Sequence, residues 1–188
     1  MLLRSRQAVV SSLDSCRAPY HFQTMIYKTL IETKIGRIGI AEEDQCLTHL
    51  CFHQKKFPAE AVEKETPFLR KVAREIDEYL NGKRQTFDIP LKLTGTDFQR
   101  SVWNALLTIP YGETRSYRDI AEQIGNAKAC RAVGMANHWN PIVIIIPCHR
   151  VIGADGSLTG FGGGLALKRQ LLDLEQSVPR LHVSRKAE

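Results

Sequence analysis

The chain has 188 residues, of which 43% are hydrophobic and 24% are charged, as in ordinary globular proteins. No apolar run approaches the roughly 20 residues that span a bilayer, which argues against an integral membrane protein. Lys and Arg outnumber Asp and Glu by 26 to 20, an excess that permits binding to a polyanion such as nucleic acid but does not require it.

Residues 1–24 lack a periodic pattern, and we predict a disordered extension that precedes an internal start at Met25. Their longest apolar run, Ala8–Val10, is too short for the core of a signal peptide. Their arginines and serines also fit an organelle transit peptide, which is the less favoured interpretation.

The next part of the chain is predicted to form a small domain of strands and one helix. Residues 25–53 alternate apolar and polar side chains, a pattern that predicts β-strands separated by short turns. Thr66 is the predicted N-cap of a helix with Pro67 at its first position, and Gly82 ends that helix. The extended, proline-containing segment 87–93 is predicted to separate this domain from the next.

The following domain, residues 94–176, is predicted to be mostly helical. Thr96 and Gln99 form a capping-box pattern that opens its first helix. Ser116 is the predicted cap of a short second helix that ends at a glycine, and Asn126 the predicted cap of a third. Two short helices joined by a glycine turn form a helix-turn-helix, which can place its second helix in a DNA groove, although many unrelated proteins contain such pairs.

Five consecutive apolar residues, 142–146, predict a buried β-strand that stops at a proline and presents Cys148 at its end. A glycine-rich loop, GADGSLTGFGGG at residues 153–164, and an amphipathic helix follow, and residues 177–188 are predicted to be a polar tail. The predicted fold class is therefore α+β: a small N-terminal αβ domain with a strand-rich sheet, residues 25–90, and a mostly helical C-terminal domain with a DNA-binding helix-turn-helix.

Cys148 is followed directly by His149, and a nearby imidazole lowers the pKa of a thiol and raises its thiolate content. A single cysteine is more often a small buried hydrophobic residue. Here the proline stop, the adjacent histidine and the downstream glycine loop favour a nucleophile. A cysteine hydrolase is one class of protein with such a pair, but hydrolases usually draw their histidine from distant sequence, which argues against it.

The chain has five cysteines, and an odd number without a secretory signal indicates reduced thiols rather than disulfides. Cys46, His49, Cys51 and His53 lie close enough in sequence to suggest a metal site. On a strand the last three would share one face while Cys46 would point away. This spacing fits no standard zinc pattern, and we expect strand residues rather than metal ligands.

Several segments resemble the O6-alkylguanine-DNA alkyltransferase family. IPCHRV at residues 146–151 resembles its active-site signature, and TDFQRSVWNALLTIPYGETRSYRDIAEQIG, ACRAVGMANHWNP and GFGGGLALKRQLLDLE resemble further segments in order and spacing. The resemblance covers roughly residues 94–176 and is looser over 25–90. It implies DNA repair by stoichiometric, suicidal transfer of a methyl or alkyl group from O6-alkylguanine, and from O4-methylthymine, to a cysteine of the protein. The target base flips out of the duplex, and no cofactor is needed.

The resemblance also implies catalytic roles for five residues. Cys148 would be the nucleophile and alkyl acceptor, His149 would act as its base through a water molecule, and Glu175 would orient the histidine. Asn140 would brace the active-site turn by hydrogen bonding. Tyr117 would help to rotate the target nucleotide and would protonate N3 of the leaving guanine.

DNA contacts are implied for the second helix of the helix-turn-helix. Arg131 would fill the gap that the flipped base leaves in the stack, although on sequence alone an exposed helical arginine explains it equally well. The residues implied to contact DNA are Arg131, Tyr117, Ala129, Ala132 and Gly134, and those implied to line the substrate pocket are Val151, Phe161, Gly162 and Gly163. Phe161 and Gly162 stand where many relatives carry a Tyr-Ser pair, which predicts a different pocket floor.

Some relatives hold zinc in the first domain, but the aligned ligand position here is Glu43, so no metal is expected. The implied partner is double-stranded DNA with alkylated bases, without a membrane or an obligate protein partner, and the chain is expected to be a monomer in the cytoplasm of a prokaryote or the nucleus of a eukaryote. The alternative is a non-catalytic alkyltransferase-like protein that binds lesions. Such proteins lack the reactive cysteine that this chain has at position 148.

Overall fold

A computed structural model describes residues 25–52 and 57–178 and has the predicted α+β class, a strand-rich sheet followed by helices. The predicted extension at residues 1–24, positions 179–188 of the predicted tail, and His53 lie outside the described residues. None of the helices in the described part of the chain is both long enough and apolar enough to cross a bilayer.

The first part of the chain forms a four-stranded sheet. Strands β1, β2 and β3 form an antiparallel meander, and the short β4 pairs with β1 in parallel, which gives the order β3-β2-β1-β4. The tight turn before β3 has left-handed backbone at Asp44 and Gln45. The strands are β1 (Ile26–Thr33), β2 (Gly36–Glu43), β3 (Cys46–Cys51) and β4 (Val62–Glu63).

Helix α1 (Pro67–Leu80) begins and ends as predicted. The Thr66 hydroxyl accepts a hydrogen bond from the Leu69 amide at 3.1 Å, which satisfies one of the unpaired donors of the first turn. Gly82 follows the helix with φ of 71°, a left-handed conformation that glycine adopts without steric cost. The helix buries Ile76 and Tyr79 in the core, and Tyr79 faces the second part of the chain.

The second part of the chain is mostly helical, with a two-stranded parallel pair between its helices. Two of the three predicted caps, Thr96 and Ser116, are confirmed, and each forms a capping box, Thr96 with Gln99 and Ser116 with Asp119. The elements are α2 (Asp97–Leu107), β5 (Arg115–Ser116), α3 (Tyr117–Gln123), α4 (Cys130–His138), a 3-10 helix (Cys148–Arg150), β6 (Val151–Ile152) and α5 (Leu165–Ser177).

The predicted start of α4 is wrong. Asn126 does not cap it; the cap position is Ala129, which makes no side-chain capping bond. Asn126 instead lies in a turn, in which its carbonyl accepts a hydrogen bond from the Ala129 amide at 2.9 Å. The prediction failed because asparagine favours turns and helix caps for the same reason, its short hydrogen-bonding side chain.

The predicted strand at 142–146 is also wrong, although the segment is buried. Ile142 and Val143 are extended, but Ile144 has φ of 73° and the chain turns before Ile146. A left-handed backbone is unfavourable for a β-branched residue, so propensity alone could not predict this turn. The turn delivers Cys148 at the start of a buried 3-10 helix rather than at the end of a strand.

The outer edge of β3 is covered by two segments that come later in the chain. Leu47 exchanges hydrogen bonds with Pro90 and Lys92, and Leu50 exchanges hydrogen bonds with Pro141 and Val143, all at 2.8–2.9 Å. These four bonds extend the sheet into the segments that lead to α2 and to the 3-10 helix. The sheet and the helices therefore share one hydrophobic core.

The expectation of reduced thiols throughout is wrong at one position. Cys46 is disulfide-bonded. Cys51, Cys130 and Cys148 carry thiols, which leaves Cys148 able to act as a nucleophile.

Candidate active site

Cys148 is the first residue of the 3-10 helix and is only 5% exposed. The Asn140 side-chain amide donates to Sγ of Cys148 at 3.2 Å and to the Ile146 carbonyl at 2.8 Å. The Asn140 oxygen accepts from the Ile142 amide at 3.0 Å, so one side chain spans both ends of the turn. A donor aimed at sulfur favours the thiolate over the thiol, because the charged form accepts the stronger hydrogen bond.

His149 is completely buried, and its Nε2 lies 2.9 Å from Oε1 of Glu175. An ionised carboxylate can only accept, so Nε2 carries the proton and Nδ1 holds the lone pair. Nδ1 is buried and has no hydrogen-bond partner among residues 25–52 and 57–178. Burial lowers the pKa of His149 more than the neighbouring carboxylate of Glu175 raises it, so the imidazole is neutral and can accept a proton near pH 7.

Glu175 in α5 is the centre of the buried polar network. Oε1 accepts from the Tyr79 hydroxyl at 2.6 Å, from His149 and from Arg150 Nη2 at 2.9 Å. Oε2 accepts from Arg150 Nε at 2.9 Å and from the Gly112 amide at 3.0 Å. Burial by itself would raise the pKa of the Glu175 carboxyl, but the hydrogen bonds and positive charge around it lower that pKa far below its usual range. The carboxylate is therefore ionised.

Arg150 supplies the permanent positive charge of this network, because a guanidinium does not deprotonate in proteins. Its fork makes two bonds to Glu175, and Nη1 donates to the Ile109 carbonyl at 2.6 Å. Sequence reasoning gave Arg150 no role, although it lies inside the IPCHRV segment beside His149. Its position in that segment was the available signal.

Lys168 is a second buried cation that sequence reasoning missed. Its Nζ donates to the Val151 carbonyl at 2.6 Å and to the Thr159 carbonyl at 2.7 Å, which ties α5 to β6 and to the glycine-rich loop. Burial lowers the pKa of Lys168, and the Cys148 sulfur opposes that shift. The attraction between the two charged groups acts in both directions, so the Lys168 ammonium also stabilises the Cys148 thiolate.

Tyr117 is the first residue of α3 and lies beside α4, the second helix of the predicted helix-turn-helix. Its hydroxyl accepts from the Thr159 hydroxyl at 3.1 Å, so the ring stands next to the loop that Lys168 anchors. A Cβ atom at Gly134 would lie 3.7 Å from the Tyr117 ring, which brings α4 close to α3 at this point. The structure thus places Tyr117 between α4 and the loop that follows β6.

The remaining residues implied to contact DNA are on α4 or directly before it. Arg131 and Ala132 are exposed, while Ala129 and Gly134 are half-buried. Arg131 precedes Asn140 by nine residues, which corresponds to roughly 13 Å along a helix. Arg131 therefore lies near the start of α4, whereas Asn140, which contacts the thiol, lies just beyond its end.

The residues implied to line the substrate pocket lie directly after the 3-10 helix and within the glycine-rich loop. Val151 is fully buried. The Phe161 ring lies 6.4 Å from the His149 ring and 5.7 Å from the Phe52 ring, both edge-to-face. Gly163 has no room for a side chain, because a Cβ there would lie 2.6 Å from Leu167, whereas Gly162 is exposed with open space beside it.

No group of three or more His, Cys, Asp and Glu side chains in the described part of the chain is arranged to hold a metal ion. Glu43, which aligns with a zinc-ligand position of some relatives, is paired with Lys92 at 2.7 Å.

Together, the fold and the site define a class: a helix-turn-helix protein in which a buried cysteine is followed directly by a histidine that pairs with a buried carboxylate. Comparisons with known proteins place the chain within that class. Two family models match it, "6-O-methylguanine DNA methyltransferase, ribonuclease-like domain" over residues 26–93 and "6-O-methylguanine DNA methyltransferase, DNA binding domain" over residues 97–177.

Individual relatives agree with these family models. A methylated-DNA–protein-cysteine methyltransferase of Methanosarcina barkeri is 51% identical over 156 residues, covering 81% of this chain and 98% of the relative. A constitutive one of Bacillus subtilis is 45% identical over 159 residues, covering 81% and 96%. The crystal structure of Mycobacterium tuberculosis OGT in complex with DNA has a TM-score of 0.77 and 48% identity, covering 81% of this chain and 95% of that chain. The chain belongs to the 6-O-methylguanine DNA methyltransferase family, as its sequence motifs predicted.

Proposed function

We propose that this protein repairs DNA by moving a methyl or larger alkyl group from O6 of guanine, or from O4 of thymine, onto Sγ of its own Cys148. The observation that carries the proposal is the buried cluster of Cys148, His149 and Glu175, in which His149 pairs with Glu175 and Asn140 donates to the sulfur. Family membership supports the reaction, and the ordinary thiol-activating chemistry of these groups supports the residue.

The site residues account for each atom of the transfer. The thiol proton passes through a bridging water to Nδ1 of His149, and Glu175 stabilises the imidazolium that forms. The sulfur attacks the alkyl carbon, so that the S–C bond forms as the C–O6 bond breaks. Tyr117 protonates N3 of the leaving guanine, and the histidine's extra proton restores the tyrosine through solvent. The thioether has no good leaving group, which accounts for a single turnover without a cofactor.

The target carbon is inaccessible inside a duplex, so the base must leave the stack at a cost of a few kcal/mol. Arg131, exposed near the start of α4, enters the vacated space and offsets part of that cost. Ala129, Ala132 and Gly134 let the helix approach the DNA backbone. The carbonyls of Cys148 and Val151 then recognise the exocyclic amine of the flipped guanine, and backbone near Gly162 and Gly163 receives its O6 atom beside Phe161.

The division into an N-terminal domain at residues 25–90 and a catalytic, DNA-binding domain at 94–176 is part of the proposal, and the ranges of the two family models support it. The partner is duplex DNA, as a solved relative bound to DNA supports. We also propose that the protein acts as a monomer wherever the cell keeps its DNA, the cytoplasm of a prokaryote or the nucleus of a eukaryote.

Intact and peptide mass spectrometry test the proposal. After incubation with a duplex that contains one O6-methylguanine, one methylene mass of about 14 daltons should appear on the peptide that contains Cys148, in one-to-one ratio with repaired guanine. The matched variant Cys148→Ala should gain no mass yet still bind the duplex.

Two other outcomes would contradict the proposal. Binding to the lesion without any mass increase would indicate the non-catalytic alternative, a lesion-binding protein. A mass increase on Cys51 or Cys130 in place of Cys148 would reject the assignment of the acceptor.

A further inference from the structure

Tyr79 belongs to α1, in the range that matches the ribonuclease-like domain, yet its hydroxyl enters the active-site network. The hydroxyl donates to Oε1 of Glu175 at 2.6 Å, and its oxygen lies 3.4 Å from Nε2 of His149. The whole side chain is buried. Tyr79 is thus a residue of the N-terminal domain whose side chain binds the Glu175 carboxylate directly.

The geometry at Oε1 gives this hydroxyl a specific effect. Three donors meet at one oxygen: Tyr79, His149 and Arg150. The hydroxyl fixes where that oxygen lies, and the oxygen in turn fixes the rotation of the imidazole and the nitrogen that carries its proton. The lone pair on Nδ1 then stays directed into the buried site.

We propose that Tyr79 is a positioning residue for alkyl transfer, through which the N-terminal domain holds Glu175 and thereby the base His149 in the reactive orientation. This inference rests on the proposed function, because it assigns Tyr79 a place in the same proton transfer. It also gives the N-terminal domain a part in the chemistry, beyond packing against the catalytic domain.

The test compares Tyr79→Phe with Tyr111→Phe. The two tyrosine rings are 6.1 Å apart, and Tyr111 is also buried, but its hydroxyl has no hydrogen-bond partner among the described residues. Each variant deletes one buried hydroxyl from the same neighbourhood, and only the first removes a bond to Glu175. Single-turnover transfer from the methylated duplex should slow by about fivefold in Tyr79→Phe and remain at the wild-type rate in Tyr111→Phe.

The pH profile separates positioning from a structural role. The charged groups that act on His149 are Glu175, Arg150 and Lys168, and none of them changes in Tyr79→Phe. Loss of one donor leaves more negative charge on Oε1 for the imidazole, so the pKa of His149 should rise and the acid limb of the rate profile should move to higher pH. A lower melting temperature with an unmoved acid limb would mean that Tyr79 only packs, and would overturn the proposal.

The double variant shows whether Tyr79 acts through the carboxylate. In a Glu175→Gln background, the further change Tyr79→Phe should have no additional effect on the rate. An additional loss as large as in the wild type would show that Tyr79 acts by another route, and would reject the inference.

Alkylation of Cys148 by iodoacetamide gives a readout that needs no DNA. The sulfur displaces iodide from the methylene carbon, and the thiol proton leaves through His149 to solvent, so the rate at the Cys148 peptide reports the same proton transfer. If the wild type forms no methylcysteine, the proposed function fails, but a shifted iodoacetamide profile in Tyr79→Phe would still support the inference. An unshifted profile in Tyr79→Phe would reject the inference whatever the DNA result.

Discussion

Asn140 is a single residue that fixes both the shape of the active-site turn and the environment of the thiol. It is 1% exposed and makes three hydrogen bonds, to the Ile142 amide, the Ile146 carbonyl and the Cys148 sulfur. Ile144 lies within the loop that these bonds close and has a left-handed backbone. The Asn140 side chain thus maintains a turn that the β-branched Ile144 disfavours, and this turn positions the Cys148 sulfur.

We expect Asn140→Ala to damage stability and activity together. The buried Ile142 amide would lose its partner, at about 1–3 kcal/mol, and the thiolate would lose its donor, whereas the Ile146 carbonyl would keep its bond from the Cys148 amide. Denaturant unfolding should detect the first effect, and a transfer rate at least about tenfold lower should report the second. The control is Asn81→Ala, which removes exposed hydrogen bonds to Asp77. Similar losses of stability in both variants would contradict this account.

At the scale of elements, α4 has two ends with different duties. Its C-terminal end leads to Asn140 in the buried site, while its N-terminal end exposes Arg131 and Ala132. Because these ends are separated by the length of the helix, we expect an alteration at the exposed end to change the handling of DNA and to leave the thiol chemistry intact.

Arg131→Ala should therefore slow repair of a methylated duplex by at least about tenfold while attack on free O6-benzylguanine stays near the wild-type rate, because only the duplex requires base flipping. Arg74→Ala removes the same charge from an exposed position on a different helix, α1, and should change neither rate. Equal slowing on both substrates by Arg131→Ala would show that Arg131 supports the fold or the thiol instead of flipping.

The elements that could be predicted from sequence are those whose signals are local. Caps at Thr66, Thr96 and Ser116 lie within three residues of the amides that they bind, and each one marks the correct helix. The turn within residues 142–146 depends on Asn140 and on pairing with β3. Neither contact is visible in the local sequence, where the run of β-branched residues alone predicts a strand. Similarly, the adjacent Cys148 and His149 indicated a nucleophile in the sequence. Tyr79 lies 96 positions from Glu175, and no local pattern linked the two residues.

For the whole molecule, the buried network predicts how stability depends on pH. The pKa of Glu175 is lowered in the folded protein, so its contribution is present above the unfolded pKa of about 4.3 and is lost as the pH falls further. Burial also lowers the pKa of His149, so below about pH 6.5 the unfolded chain binds a proton that the folded chain does not. Both groups therefore destabilise the folded protein in acid.

The histidine contribution can be isolated. The free energy of unfolding should fall as the pH drops below 6.5, with a slope of at most about 1.4 kcal/mol per pH unit for this one proton. In His149→Gln that slope should largely disappear, while the loss below pH 4.3 should remain. Urea unfolding at several pH values measures both windows, and an unchanged slope in the variant would show that another group is responsible.

The covered edge of β3 has a consequence for how the chain can be divided. An exposed strand edge is a template for pairing with other chains, and proteins protect such edges by covering them. Here the cover comes from Pro90–Lys92 and Pro141–Val143, both of which follow the sheet in sequence. A fragment that ended before residue 90 would present the bare backbone of Leu47 and Leu50 to its neighbours. Later segments of the chain therefore protect the edge of the sheet, and the sheet on its own would tend to aggregate.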